Sequence, residues 1–476
     1  MKLSHTQSIH APRFLLAAPK SGSGKTFVTC GILQLLKDRG KKVRAFKCGP
    51  DYIDPMFHRT VLGLPSKNLD TFFAGEELTA SLFAEGAEGA DISVMEGVMG
   101  YFDGVDLKDH PMLASAYDLA VSTKTPVILV VDAKGMSRSI VPMIKGFLDY
   151  GKERMIRGVI LNRIAPGMFP LFKEMIEKEL GIPAIGYLPR MEGALWESRH
   201  LGLVQPEEIK ELQSQVERIA ETLSDTLDLA LLTKIAEGAE DLSVKVPEIE
   251  PLPETVRIGV ARDAAFSFYY EDNLLLLKKL GAELIEFSPL TDKALPKVQG
   301  LILGGGYPEL YAKELSENKS MLEAIRNAAD SGMPILAECG GFMYLQRELL
   351  TKEGERFLMA GALPGKTRMT NKLVRFGYIT LATNADDGNG LGSDIFADAP
   401  YLAPGETIRG HEFHYFDSTK NGTSCIAKKP KGNREWECMV SHKGIFAGYP
   451  HLYYYSDPDF AKRFLTQSAA YHWRAE

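Results

Sequence analysis

The chain has 476 residues, 45% of them hydrophobic and 25% charged, with a net charge of -7. This length predicts two globular domains rather than one. The negative charge and the lack of a basic run argue against nucleic-acid binding, and no apolar run approaches the roughly 20 residues of a membrane-spanning helix.

The first half of the chain alternates apolar, β-rich runs with helical patterns. A helix is predicted over 25–38 and a closing helical segment over 207–232. The predicted strands are 13–18, 43–47, 92–96, 127–132, 158–162 and 184–188. Apolar strands spaced in this way indicate a parallel sheet covered on both faces, so we assign 12–236 to a first α/β domain.

Residues 237–255 are charged and rich in proline, which is typical of a linker. A second alternation of strands and helices follows, and we assign it to a domain spanning 256–470. Its predicted strands are 257–261, 283–287, 300–303 and 334–337. Its predicted helices are 270–280, 318–329, 342–350 and 459–470, with a β-rich stretch after residue 361.

The segment between the first strand and the first helix reads Lys20-Ser21-Gly22-Ser23-Gly24-Lys25-Thr26. Glycines before a helix N-terminus let several backbone N–H groups converge on a phosphate. In such a loop Lys25 reaches the β- and γ-phosphates, and the Thr26 hydroxyl holds Mg²⁺. Pro19 replaces the usual first glycine, and Lys20 stands where a deviant form of the loop has an additional lysine. The alternative is a plain Gly/Ser turn.

Acidic residues follow the second and third strands of this domain: Asp51, Asp54, Glu96 and Asp103. The carboxyl ends of parallel strands are where open α/β sheets place ligands. Carboxylate oxygens there can hold Mg²⁺. The alternative for any one of them is a solvated acid in a loop.

Cys339 lies between an apolar strand and an apolar helix, followed by two glycines. A nucleophile on a strand–turn–helix elbow is exposed to backbone N–H groups. We expect the helix N-terminus to lower the thiol pKa. The glycine turn at 304–309 could supply a further N–H to an oxyanion hole, for which the candidates are Gly305, Gly306 and Gly340.

A cysteine nucleophile needs a base, and spacing does not choose among five downstream histidines: His411, His414, His442, His451 and His472. The other cysteines lack the elbow context and are interpreted as packing residues. They are Cys30, Cys48, Cys425 and Cys438. An odd cysteine count and no apolar leader favour reduced thiols and a cytoplasmic setting.

A phosphate loop and a nucleophilic cysteine on one chain predict ATP-driven amidation with glutamine as nitrogen source. One rival is a partitioning-type regulatory ATPase, which predicts nucleotide-dependent dimerisation and gives Cys339 no role. Another is a binding scaffold whose second half is inert, which the intact elbow disfavours.

Three motifs resemble the cobyrinic acid a,c-diamide synthase family in its first domain: 18–26, 47–55 and 96–104. Three more resemble its glutaminase half: 304–310, 337–341 and 410–415. The resemblance implies a P-loop NTPase-type domain like dethiobiotin synthetase, joined to a class I glutamine amidotransferase-like α/β domain. It also implies ATP-dependent amidation of the a and c acetates of cobyrinate with glutamine or ammonia.

The family motifs also imply residue roles. ATP would be held by Lys20, Gly22, Ser23, Gly24, Lys25 and Thr26. Mg²⁺ would be held by Thr26, Asp51 and Glu96. The substrate carboxylate and macrocycle would meet Asp51, Tyr52, Ile53, Asp54 and Asp103. Cys339 would be the nucleophile and His451 its histidine. Class I glutaminases commonly carry a glutamate two residues later, where this chain has Tyr453, so what orients His451 stays open.

The expected partners are ATP, L-glutamine and a corrinoid or related tetrapyrrole acid, with a homodimer left open. The nearer alternatives are the same reaction on hydrogenobyrinate or nickel-sirohydrochlorin. Cobyric acid synthase, which amidates other side chains, is a more distant one.

Overall fold

The computed structural model describes residues 2–105, 107–191, 206–384 and 401–472. The chain divides into two compact units. The first comprises residues 3–247, and the second comprises residues 248–476 together with 1–2.

The first unit alternates strands and helices along most of its length. Its strands are β1 (Lys2–Ile9), β2 (Arg13–Ala17), β3 (Val43–Cys48), β4 (Ser66–Leu69), β5 (Ile92–Glu96), β6 (Val127–Asp132), β7 (Ile156–Asn162), β8 (Ala184–Leu188) and β9 (Leu242–Glu248). Its helices are α1 (Lys25–Asp38), α2 (Ile53–Thr60), α3 (Thr71–Ala87), α4 (Ala116–Ser122), α5 (Ile140–Tyr150), α6 (Phe169–Leu180), α7 (Pro206–Thr226) and α8 (Leu229–Glu237).

Seven strands form one parallel sheet in the order β4-β3-β5-β2-β6-β7-β8. The strands at its centre are apolar and buried, as expected where helices cover both faces. The carboxyl ends of β2, β3 and β5 lie side by side because these strands are neighbours in the sheet. The phosphate loop and both acidic segments therefore emerge at one edge.

Three features of this unit differ from the sequence expectation. Strand β4 was not predicted, because its polar residues 66–69 do not form an apolar run. The predicted linker 237–255 contains β9, which pairs with β1 in a two-stranded sheet. The predicted segment 207–232 is two helices, and the Asp228 side chain caps the second by accepting from Leu231 N–H.

The second unit begins with the same alternation and ends β-rich. Its helices are α9 (Glu271–Lys279), α10 (Ala312–Glu317), α11 (Lys319–Asp330), α12 (Gly340–Leu345) and α13 (Pro458–Ala470). Its strands are β10 (Val256–Ala261), β11 (Ala282–Phe287), β12 (Gly300–Leu303), β13 (Ile335–Glu338), β14 (Glu348–Leu350), β15 (Arg356–Leu358), β16 (Lys366–Met369), β17 (Arg375–Thr383), β18 (Thr407–His414), β19 (Phe416–Ser418), β20 (Cys425–Lys428), β21 (Glu435–Cys438), β22 (Val440–His442), β23 (Ile445–Gly448) and β24 (His451–Leu452).

The main sheet of this unit has the order β11-β10-β12-β13-β23-β22 and is parallel except for its edge strand β22. An antiparallel sheet, β21-β20-β17-β18-β24, ends in the short strand that carries His451. Cys339 directly follows β13 of the main sheet, and His451 begins β24 of the antiparallel sheet, so the two residues come from different sheets.

Helix α12 is shorter than the predicted helix 342–350, which was wrong. It ends at Leu345, and the chain then turns to form β14, which pairs with β15 and β16. Backbone bonds to these neighbouring strands decide the conformation after Leu345, and local sequence does not contain them. Within the described ranges, no helix is both long and apolar enough to cross a membrane.

Candidate functional site

The phosphate loop connects β2 to α1 in a conformation that requires glycine. Gly22 and Gly24 have φ of +75° and +88°. A Cβ at Gly24 would lie 2.0 Å from Nδ2 of Asn162. Asn162 Nδ2 donates to the carbonyl of Ser23 at 2.9 Å, and Ser23 Oγ donates to the carbonyl of Lys20 at 2.9 Å. The loop is thus fixed at the N-terminus of α1, where free N–H groups suit a phosphate.

Lys25 and Thr26 open α1 and contact the end of strand β5. The Lys25 ammonium donates to the carbonyl of Met99. Thr26 Oγ1 donates to Oε1 of Glu96 at 2.7 Å. Glu96 is fully buried and Lys25 nearly so. The loop lysine and hydroxyl therefore adjoin the acidic segment that follows β5.

Lys47 gathers three of the predicted acids around one ammonium group. It stands opposite Glu96 in the β3–β5 register, and its Nζ lies 3.0 Å from Glu96 Oε1. The same Nζ lies 2.5 Å from Asp54 Oδ2 and 3.8 Å from Asp51 Oδ2. We call these four residues the Lys47 cluster.

Burial and mutual repulsion shift the acids of the Lys47 cluster in different directions. Burial, and then Asp54, raise the pKa of Glu96 to about 7. The same two causes raise the pKa of Asp51 to about 6. Burial also acts to raise the pKa of Asp54, but contact with Lys47 outweighs it and the pKa is lowered. Three carboxyl groups thus share one cation, an imbalance that a divalent cation would relieve.

The donor atoms at this edge fit Mg²⁺. Glu96 Oε2 is buried and accepts no hydrogen bond from any described residue. The nearest ring nitrogen, Nε2 of His58, is 3.8 Å away, and burial lowers the pKa of His58 to about 4, so this ring is neutral. With the Thr26 hydroxyl and the Asp51 carboxylate, Glu96 makes a set of hard oxygen donors, the kind that Mg²⁺ prefers.

The remaining predicted substrate residues lie on the two flanking segments. Asp51 Oδ1 accepts from the N–H groups of Ile53 at 2.8 Å and Asp54 at 3.2 Å, which are the first two residues of α2 after Tyr52. Asp103 Oδ2 accepts from Gly100 N–H at 2.9 Å, which closes the turn after β5. Asp103 is therefore bonded to its own turn, outside the Lys47 cluster.

Sequence reasoning gave no role to Lys47, His58 or Asn162, although two of them carried a signal. Lys47 and Asn162 both lie at the end of an apolar, buried strand. A polar group in such a place is costly unless it is bonded, so it marks a site or a structural bond. Whether the polar group marks a functional site or only a structural bond depends on its neighbours in other strands.

Cys339 occupies a strained elbow between β13 and α12. Its φ is +48° and its ψ is −102°, which is rare for a residue other than glycine. Its N–H donates to the carbonyl of Gly448 at 2.8 Å. A Cβ at Gly341 would lie 2.0 Å from the carbonyl oxygen of Leu303, so only glycine fits there. The geometry is that of the predicted nucleophile elbow.

The three glycines predicted for an oxyanion hole converge beside His451. A Cβ at Gly305 would lie 2.4 Å from Cε1 of His451. A Cβ at Gly340 would lie 3.1 Å from the backbone nitrogen of Gly306. The backbones of the glycine turn and of the elbow therefore pack together next to this imidazole.

The five candidate histidines separate into three buried and two exposed residues. His451 stands opposite His411 in the β18–β24 register. His414 stacks its ring on Tyr449 with 4.0 Å between ring centroids. The exposed ones are His442 and His472. Contact with the glycine turn distinguishes His451 as the candidate base.

The thiol and the imidazole are both neutral in this buried site. Burial raises the pKa of Cys339 well above its usual range, and Glu309 adds to this. Burial, and then His414, lower the pKa of His451 to about 3. The expected lowering of the thiol pKa by the helix N-terminus was wrong, because burial and neighbouring acids outweigh a six-residue helix. A proton must therefore leave the thiol during the reaction itself.

A polar pocket with an empty volume of about 290 Å³ lies between β17, β18 and β21. Four buried polar atoms of its lining residues make no hydrogen bond to the described part of the chain: Arg375 Nε, Glu412 Oε2, His414 Nε2 and Asn421 Oδ1. Glu412 also contributes to the raised pKa of Cys339, so the pocket lies within electrostatic range of the sulfur. The pocket offers both a cation and a carboxyl group to a small polar molecule.

One family model matches each of the two units. Residues 14–204 match the family model of the CobQ/CobB/MinD/ParA nucleotide binding domain. Residues 257–459 match that of the CobB/CobQ-like glutamine amidotransferase domain. The predicted fold class is confirmed: a nucleotide-binding α/β domain is followed by a glutamine amidotransferase-like one.

Similar proteins cover nearly the whole chain. The cobyrinate a,c-diamide synthase of Listeria innocua is 42% identical over 454 residues, 94% of this chain and 97% of that protein. Those of Caldanaerobacter subterraneus and Salmonella typhimurium are 39% and 37% identical, over 96% and 95% of this chain and 98% and 97% of their own. Together with the two family models, these relatives show that the chain is an ATP-dependent ligase that takes nitrogen from glutamine. The chain belongs to the cobyrinate a,c-diamide synthase family.

Proposed function

We propose that this protein amidates the a and c acetate carboxylates of cobyrinate, in cobalamin biosynthesis, with ATP and with glutamine or ammonia as nitrogen donor. Relatives that carry the corresponding name match it over almost their full length. The observation that carries the proposal is the pair of sites. One unit holds the phosphate loop beside the Lys47 cluster, and the other holds Cys339 on its elbow beside His451.

The first half-reaction activates the substrate carboxylate. A carboxylate does not accept ammonia directly, because oxide is a very poor leaving group. An oxygen of the acetate therefore attacks the γ-phosphorus of ATP, forming an acyl phosphate and releasing ADP. Lys25 and the loop N–H groups stabilise the charge on the transferring phosphoryl group. Tyr52 and Ile53 border the macrocycle, and Asp54 and Asp103 complete the surroundings of the carboxylate.

Thr26, Glu96 and Asp51 are the residues that would hold Mg²⁺. The ion neutralises charge on the phosphate oxygens when it is bound. The buried and unpaired Glu96 Oε2 supports this assignment.

The second half-reaction releases ammonia. Cys339 sulfur attacks the side-chain carbon of glutamine while its proton passes to His451, and the oxyanion accepts bonds from the glycine backbone. Return of that proton to the departing nitrogen breaks the carbon–nitrogen bond and leaves a thioester, which water hydrolyses to glutamate. The ammonia displaces phosphate from the acyl phosphate and forms the amide. The candidate oxyanion donors are the N–H groups of Gly305, Gly306 and Gly340.

We assign the polar pocket to the amino-acid head of glutamine. Glu412 would accept from its ammonium group, and Arg375 would donate to its carboxylate. Their buried, unpaired polar atoms support this assignment, since such atoms are costly without a partner.

Replacement of Cys339 tests the division of labour. Cys339→Ala should abolish amide formation with glutamine and spare it with ammonium salts, measured as ADP, glutamate and the amide by mass spectrometry. Cys425→Ala, which removes a buried thiol away from the elbow, is the control. Loss of both activities in Cys339→Ala, but not in the control, would contradict the proposal.

A panel of acids tests the substrate. Cobyrinate, hydrogenobyrinate and nickel-sirohydrochlorin with Mg-ATP and glutamine would be compared by the mass of their products. We expect the mass of cobyrinate to change by the increment of two amidations. Faster turnover of another macrocycle would mean that this macrocycle, and not cobyrinate, is the substrate.

Five free cysteines support the expected cytoplasmic setting, and the homodimer stays a prediction.

A further inference from the structure

The second ring nitrogen of a histidine base is oriented by a hydrogen-bond acceptor. An imidazole accepts a thiol proton with one nitrogen only in the tautomer that carries hydrogen on the other, and an acceptor fixes that tautomer. Tyr453, two residues after His451, does not provide it. Its hydroxyl donates to Oδ2 of Asp272 at 3.1 Å.

A carboxyl group from another strand lies on this side of the ring. Glu338 ends β13 and directly precedes Cys339. Its Oε2 is 3.8 Å from Nδ1 of His451. Its Oε1 accepts from Leu452 N–H at 3.3 Å and from the Tyr454 hydroxyl at 3.5 Å. Bonds to residues one and three positions beyond His451 thus tie this carboxyl group to the histidine's own segment.

We propose that Glu338 is the positioning residue of the glutaminase site and that its carboxyl group accepts the Nδ1 hydrogen of His451, leaving Nε2 for the thiol of Cys339. The inference rests on the proposed roles of Cys339 and His451. The 3.8 Å separation is about 1 Å longer than a hydrogen bond, and such contacts often tighten only when substrate is bound.

The strand register explains how one residue serves both catalytic groups. In a strand, neighbouring side chains point to opposite faces, but Cys339 follows the strand on an elbow with φ of +48°. Glu338 stays in register with Gly448 on β23, three residues before His451. The nucleophile and the positioning carboxyl group are therefore consecutive residues, and His451, on β24, is reached directly from the strand that pairs with β13.

The electrostatics agree with this role. Burial raises the pKa of Glu338 to about 8, and burial lowers the pKa of His451 to about 3, so the pair favours its neutral form at rest. Either ionisation state of Glu338 leaves an oxygen that can accept from Nδ1. The other buried rings near His451, those of His411 and His414, are also neutral and supply no anion.

The reaction then moves one proton and exchanges two bonds. As the sulfur–carbon bond forms, the Cys339 proton passes to Nε2 and the ring becomes an imidazolium, which the Glu338 carboxyl group stabilises by accepting the Nδ1 hydrogen. As the carbon–nitrogen bond breaks, the same proton passes to the departing nitrogen. Ammonia leaves and the ring is neutral again, so Glu338 keeps its own proton count unchanged over the cycle.

Glu338→Gln and Glu338→Ala test the inference against Glu348→Gln. Glu348 is a buried glutamate of the same unit, paired with Arg356 and Lys366, and is the control. We expect kcat for glutamine hydrolysis to fall about 10²–10⁴-fold in both Glu338 variants, with KM changed less than about threefold. The control should keep the wild-type rate. Glu338→Asp should recover part of the loss, because it restores the carboxyl group.

Nitrogen-15 NMR of ring-labelled histidine separates positioning from mere structure. His451, assigned with His451→Asn, should carry its hydrogen on Nδ1 in the wild type and shift toward the Nε2–H form in Glu338→Gln. A folded Glu338→Gln protein with the wild-type kcat, or with an unchanged His451 tautomer, overturns the inference. A wild-type protein without Cys339-dependent glutamine hydrolysis would instead overturn the proposed function.

Discussion

The two sites handle charge in a buried place in opposite ways. The Lys47 cluster brings an ammonium within 2.5 Å of Asp54 and 3.0 Å of Glu96 before any ligand arrives. At the elbow, burial keeps the Cys339 thiol protonated and the His451 ring neutral. The difference follows from the chemistry. Phosphoryl transfer stabilises charge that the substrates bring, whereas the glutaminase creates its ion pair only during the reaction.

The first site therefore contains preformed ions, whereas the second contains a strained elbow and glycine backbones that pack closely together. Preformed charges cost little to reorganise when a charged nucleotide binds. A preformed thiolate in the second site would be destabilised, because a buried ion without a partner loses its hydration. A backbone elbow and converging N–H groups stabilise the oxyanion only once it exists.

The largest effect is expected from Lys25→Ala or Glu96→Ala. Either change should lower amide formation with glutamine and with ammonia at least about 10³-fold, because charge stabilisation at the phosphoryl group is lost. Glutamine hydrolysis should persist, measured as glutamate release. If glutamate release disappears as well, the glutaminase site depends on the phosphate-loop site, and the two sites are not independent.

Exchange of histidines tests the neutral site. His451→Asn should lower glutamine hydrolysis about 10³-fold, because the thiol loses its base. His411→Asn, the matched change at the opposite position of the register, should lower it less than about tenfold. If both variants lose the same activity, contact with the glycine turn does not identify His451 as the base.

Removal of the central cation tests the charged site through stability. Lys47→Met should lower the free energy of unfolding by about 3 kcal/mol, because buried carboxylates lose their partner. Lys25→Met, which removes a cation bonded to a carbonyl, should cost clearly less. Urea unfolding followed by circular dichroism measures both. If Lys47→Met leaves the free energy of unfolding unchanged, the acids of the Lys47 cluster are not ionised together.

The smallest effect concerns shape. Gly305→Ala places a Cβ 2.4 Å from Cε1 of His451 and should lower kcat/KM for glutamine about 10–100-fold by displacing the ring. Gly146→Ala, where a Cβ meets nothing within 4 Å, is the control. Wild-type kinetics in Gly305→Ala would show that the site tolerates a shift of its base.

Much of the fold was predictable because apolar runs determine buried strands. Helix α1 and strands β5, β6, β8 and β12 have the predicted bounds. The elbow was also predictable, since a cysteine between an apolar strand and two glycines is typical of a nucleophile on a strand–turn–helix. Strand β4 and helix α12 were not, because polar edge pairing and backbone bonds to distant strands decide them.

The candidate site was predictable where one segment carries the chemistry. The phosphate loop and Cys339 are of this kind. Lys47 and Glu338 are not, because each acquires its partner from another strand. Lys47 meets Glu96 across the β3–β5 register, and Glu338 meets His451 from a different sheet. Contacts of this kind depend on register and sheet order, which residue types alone do not specify.

The bond from Lys25 to the Met99 carbonyl has a consequence for the neighbouring turn. An ammonium has three hydrogens, so Lys25 can hold a phosphate and this carbonyl together. Met99 lies in the same turn as Asp103, which closes it by accepting from Gly100. A nucleotide phosphate held by Lys25 would therefore be linked through Met99 to the turn that, in the proposed function, borders the substrate acid.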